Sequence, residues 1–132
     1  MKKLVLSGSA KNQTEVSKFI NHFKDNYEIL DYPKVINGDF LENYPEVHTN
    51  FYKNINKTDV LFLMNYDKNG VKGHIGYAGF GELSVALFLK LTGKRNIEIY
   101  IYQMPDKSVP AYDEIELWLK LGYIKLYNKT IK

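Results

Sequence analysis

A chain of 132 residues, 45% hydrophobic and 14% aromatic, has enough apolar side chain for one compact domain and too little length for two. Charged residues make up 25% and the net charge is only +3, which argues against wholesale disorder. The longest apolar runs, 60–64 and 85–89, hold five residues each, whereas a membrane span needs roughly 18.

In chain order, the opening run Leu4-Val5-Leu6 predicts a strand, followed at once by Ser7-Gly8-Ser9-Ala10. A helix comes next, with Asn12 as N-cap, Glu15 three residues on, and Val16, Phe19, Ile20 and Phe23 along one face. Residues 27–32 form a second strand that Pro33 ends, and 34–44, carrying Asn37-Gly38-Asp39, read as a loop. Pro45 suits the first turn of a helix running to about Lys57, with Val47, Phe51 and Ile55 spaced at four. Residues 59–66 are continuously apolar in their first half, as in a strand covered on both faces. A polar, glycine-rich loop spans 67–76. The next helix, from about Gly79 to Thr92, is apolar nearly all round and ends at Gly93. A strand over 97–103, an amphipathic helix over 111–121 and a strand over 123–127 complete the chain.

Strands alternating with helices imply right-handed crossovers and a parallel sheet. The expected fold is a single α/β domain over 1–132: a three-layer Rossmann-like or flavodoxin-like unit with a parallel five-stranded sheet and helices on both faces. Such sheets bind ligands at the carboxyl ends of their strands. That rule selects three loops, 7–11, 65–81 and 104–112.

The basic residues are 17 lysines and the single Arg95, scattered without a basic block, so a nucleic-acid partner is not expected. With no cysteine there is no disulfide framework and no thiolate nucleophile. The N-terminus MKKLVLSGSA offers no signal-peptide h-region, and a cytoplasmic location, away from any membrane, is the expectation. His22, His48 and His74 lie far apart without partner motifs, which disfavours zinc. No calcium-loop register, P-loop, GxGxxG or G-x-S-x-G elbow is present.

Four places could carry chemistry. The Gly8-Ser9 turn can offer backbone N–H groups to a phosphate or carboxylate, and equally is an ordinary tight turn. Glu82, in the first turn of the buried helix, is expected to stay anionic by the helix dipole and can act as a nucleophile at an anomeric carbon. Glutamate is also favoured in first turns for the dipole alone. Asn65, Asp67 and Asn69 crowd the third strand's loop; Asp67 could orient a sugar hydroxyl or pass a proton, or simply open the turn. Asp113, Glu114 and Glu116 read as a solvated helix start rather than a catalytic cluster.

The segment 65–76 (NYDKNGVKGHIG), the Gly81-Glu82 helix start and the later DEIE at 113–116 resemble the nucleoside 2-deoxyribosyltransferase superfamily, which includes the 2′-deoxynucleoside 5′-monophosphate N-glycosidases. The resemblance runs from Ser7 to Tyr127 and is nearest to a small, largely uncharacterised branch. It implies a flavodoxin-like fold, Glu82 as the nucleophile at C1′, and base release followed by capture of the sugar by water or a second base. Catalysis is thus expected of Glu82 and Asp67, with Gly8, Ser9, Asn65, Gly76 and Gly79 lining the substrate site. The resemblance further implies a homodimer or higher homo-oligomer. The expected partner is a small-molecule nucleoside or nucleotide, with no metal and no organic cofactor. The chain departs from that family at Phe51, where the characterised enzymes carry an aspartate, and at Ser84, where they carry glycine.

Overall fold

In the computed structural model, which describes all residues 1–132, nine elements alternate: β1 (Lys2–Ser7), α1 (Gln13–Phe23), β2 (Tyr27–Asp31), α2 (Phe40–Ile55), β3 (Val60–Leu63), α3 (Tyr77–Leu91), β4 (Glu98–Ile101), α4 (Tyr112–Lys120) and β5 (Lys125–Leu126). The five strands form one all-parallel sheet in the order β2-β1-β3-β4-β5. Its α/β arrangement is that of a Rossmann-like or flavodoxin-like fold.

Alternation along the strands divides the core in two. Val5, Leu61, Leu63, Ile99 and Ile101 pack with Phe51 and Ile55 of α2, Leu83 and Ala86 of α3, and Ile115 of α4. Leu4, Leu6, Val60, Phe62 and Met64 face the other way, onto Val16, Phe19 and Phe23 of α1. That second face carries only one helix, and Tyr127 and Ile131 of the C-terminal segment join it. All four residues of β3 are buried, as a strand covered on both faces requires. No helix is long and apolar enough to cross a membrane.

Two helices start earlier than the sequence pattern suggests. The α2 helix begins at Phe40, where the Asp39 side chain accepts from the Glu42 N–H at 3.0 Å. Pro45 is thus the sixth helical residue instead of lying in the first turn. The backbone bond it forgoes would have gone to Leu41, a strongly exposed residue whose carbonyl water can serve. The α3 helix begins at Tyr77 behind Gly76, two residues before the expected start. Glu82 is therefore its sixth residue, in the second turn, beyond the N–H groups that carry most of the helix dipole.

Strand order reverses between β1 and β3: the chain leaves β1 toward β2 on one side and leaves β3 toward β4 on the other. A crevice at the carboxyl ends of these two strands is the site such topology provides.

Candidate active site

The crevice is a cavity of about 680 Å³, a size usual for small-molecule sites. It is bounded by the turn after β1, the segment after β2, one face of α2, the segment after β3 and the start of α3. Fourteen of its 26 lining residues are hydrophobic, a mixed wall of the kind small-molecule sites carry. Gly8, Ser9, Asn65, Gly76, Gly79 and Glu82 all line it.

Glu82 is the cavity's only carboxylate. The Ser7 hydroxyl, fully buried at the end of β1, donates to Glu82 Oε1 at 2.5 Å. Burial pushes the Glu82 carboxyl up to about 7; the Ser7 hydroxyl and the Gly8 backbone N–H pull against that rise, while the Asp31 charge adds to it. This corrects the expectation of a dipole-held anion. The group stands more than one turn from the helix N-terminus, and desolvation outweighs the dipole. At neutral pH the group is divided between acid and carboxylate.

The approach of α3 to the strand ends depends on Gly79. A Cβ placed there would stand 3.2 Å from Leu63 Cδ1 and 3.9 Å from Gly8 Cα, so the glycine lets the helix lie close against both strands. Gly8 itself has φ +147, with Met64 O only 3.3 Å from where its Cβ would be. The Gly8-Ser9 turn does not run straight into α1: Asn12 caps that helix and its side chain takes the Glu15 N–H.

Asn65 lines the cavity, but its amide is spent on the fold. Oδ1 accepts from Tyr102 N at 2.9 Å and Gln103 N at 3.2 Å, and Nδ2 donates to Gln103 O and Gly73 O at 2.6 and 3.3 Å. It therefore ties the end of β3 to the end of β4 and to the following loop. Asp67 does not line the cavity. Its Oδ1 accepts from Gly73 N at 3.1 Å and from Gln103 Nε2 at 2.7 Å, so it organises the loop after β3. Asn69 and Gly70, both with positive φ, form the tight turn between Lys68 and Val71, whose backbones pair in both directions.

The loop 104–112 does not reach the cavity either. It is pressed behind Gly73, whose Cβ, were there one, would stand 2.8 Å from Met104 O and Pro105 Cα. With φ +62 as well, Gly73→Ala should cost about 1–2 kcal/mol from backbone conformation alone and more from the clash. Urea melts of the variant check this: an unchanged midpoint would contradict the packing described. The acidic run behaves as a helix start, with Glu116 accepting from Tyr112 Oη and paired with Lys120.

Sequence reasoning overlooked three features. Ser7 was hidden because its partner lies 75 residues away. The segment after β2 and the exposed face of α2 supply much of the wall, including Tyr32, Lys34, Phe40, Tyr44 and His48. The repeating four-residue spacing of Phe40, Tyr44, His48 and Tyr52 was the available signal. Their rings follow one another at centroid distances of 5.1, 4.9 and 4.4 Å. Finally, buried Asp31 accepts from Lys34 Nζ at 3.0 Å and Asn54 Nδ2 at 2.9 Å, holding a cavity lysine beside the Tyr32 ring.

Phe51 is buried and forms apolar wall. No three His, Asp or Glu side chains gather in a way that could hold a metal ion. No family model matches the chain, and no curated protein matches it.

Proposed function

We propose that the protein breaks, or transfers across, the N-glycosidic bond of a (deoxy)nucleoside or nucleoside 5′-monophosphate, with Glu82 as nucleophile. The observation that carries this reading is a lone, half-buried carboxylate on the wall of the switch-point cavity, held by the Ser7 hydroxyl. The resemblance of 65–76 and Gly81-Glu82 to the deoxyribosyltransferase superfamily supports the choice of bond.

In the first step an oxygen of ionised Glu82 bonds to C1′ as the C1′–N bond breaks. The bonding pair leaves on the base nitrogen, which takes a proton from water or from an imidazole; His48 and His74 are the cavity's two. Water or a second base then attacks C1′ and frees the carboxylate. A carboxylate nucleophile and a departing base complete this chemistry without metal or organic cofactor. The flat faces of Phe40, Tyr44 and His48 suit a planar base, and Lys11, Lys34 and Lys68 suit a phosphate. A homodimer or higher oligomer belongs to the same reading, with exposed Phe88 and Leu91 of α3, Leu117 of α4 and Leu121 just after it as apolar surface for it.

A second reading, a nucleotide or nucleotide-sugar binding module without catalysis, is favoured by Phe51 and by the engagement of Asp67 in its loop. Incubation with each common deoxynucleoside and deoxynucleoside 5′-monophosphate, followed by chromatography, separates the two. The enzyme releases free base. No base from any of them, together with a melting temperature that nucleotides still raise, would leave only the binding module.

A further inference from the structure

The Glu82 carboxylate has two oxygens in different situations. Oε1 receives the Ser7 hydroxyl at 2.5 Å, and no side chain donates to Oε2. Ser7 is a rigid anchor: it is fully buried, sits in β1 register opposite Leu63 of β3, and its carbonyl accepts from Met64 N at 2.8 Å. Its own strand thus has no freedom to let the hydroxyl drift. On the other side, Gly79 sets the distance between α3 and the strand ends, one helical turn before Glu82.

We infer that Ser7 is the positioning residue of this site: its hydroxyl fixes Glu82 Oε1, so that Oε2 is the oxygen presented to the electrophilic carbon. The inference rests on the proposed role of Glu82 as nucleophile. In the covalent step Oε2 forms the bond to C1′, and the electron pair of the broken C1′–N bond leaves with the base. Oε1 keeps its hydrogen bond throughout and becomes the carbonyl oxygen of the sugar ester. Without Ser7 only the Gly8 backbone N–H still favours the charged carboxylate, which is freer to rotate about its last torsion, and a barrier to productive orientation is added that ligand binding does not share.

Other groups face Glu82 and set the background against which Ser7 acts. Asp31 at the end of β2 and Tyr52 of α2 are coupled to it electrostatically. Tyr44 and His48 of α2, Lys34 before α2, and His74 before α3 line the same cavity. The Gly8 backbone N–H also favours the charged form, and all of these groups remain in the Ser7 variants, so comparison with the wild type reads the hydroxyl against that background.

The test combines kinetics with a titration that needs no turnover. Ser7→Ala should lower kcat about tenfold or more, as loss of a hydrogen bond to a charged group does, while KM stays within about twofold. Its acid limb should move to higher pH, because the hydroxyl favours the ionised carboxylate. Ser7→Cys, close in size with a weaker donor, should fall between the two and covers the case in which the alanine variant fails to fold. The ¹³C carboxyl resonance of Glu82 should titrate at higher pH in either variant than in the wild type. Unchanged kcat and acid limb in an active protein would overturn the inference, as would an unchanged Glu82 midpoint in the titration. Absence of base release from the wild type would count against the nucleophile reading alone; the carboxyl titration would still decide whether Ser7 holds Glu82.

Discussion

Glu82→Gln should reduce base release by about a thousandfold or more, the scale on which loss of a covalent nucleophile is felt. The amide retains the shape and can still accept from Ser7, so the cavity stays intact. The same substitution should stabilise the protein above neutrality. In the wild type the folded carboxyl titrates at about 7 against a usual value of 4.5. Between those pH values the folded chain holds a proton that the unfolded chain has already lost, so stability falls as pH rises through that window and stays low above it. Burial is the main cause, and the loss is of the order of 3 kcal/mol. The glutamine variant has no such fall. Urea melts at pH 5 and pH 8 check this: the variant should gain on the wild type only at the higher pH. A gain of equal size at both would show that burial of charge is not the reason.

The second large effect is structural. Asn65→Leu removes an amide that serves Tyr102 N, Gln103 N, Gln103 O and Gly73 O, all from a side chain only 1% exposed. Leaving buried backbone groups unpaired costs roughly 1–3 kcal/mol each, and some will find other partners, so a total loss of about 3–5 kcal/mol is expected. Asn65→Asp is the informative companion. It keeps the acceptor for the two N–H groups and sets an oxygen against the two carbonyls, so it should also destabilise, and more at pH 8 than at pH 4. If Asn65→Leu unfolds at the wild-type urea concentration, the amide is not the tie between β3 and β4 described above.

The architecture was legible because it depends on periodicity. The unbroken apolar run at the start of β3, the amphipathic spacing of α1 and the apolar circumference of α3 each point to one place in a layered α/β unit. The site was partly legible for a topological reason, since the carboxyl ends of β1 and β3 flank the point where strand order reverses, and Gly8 and Glu82 stand there. Helix starts were less so. The Asp39 cap with Glu42 three residues on was readable, but the nearby Pro45 is the stronger local signal. Beyond that, sequence could not show how polar side chains are spent. Asn65 and Asp67 have the composition of a binding loop, yet their hydrogen bonds are consumed by Gly73 and by Gln103, far along the chain. The ionisation of Glu82 likewise follows from its surroundings across the fold, desolvation first and the Ser7 hydroxyl next, which no local pattern encodes.

The central claim is that Glu82 bonds covalently to the sugar. A 2′-fluoro-substituted nucleoside or nucleoside 5′-monophosphate, whose ester with the enzyme hydrolyses slowly, allows that bond to be caught and weighed by intact-protein mass spectrometry and located by peptide mapping. The account predicts one sugar added per chain, on the peptide containing Glu82, and none on the Glu82→Gln variant. Release of base from the natural substrate with no adduct formed, or an adduct on any other residue, would contradict it.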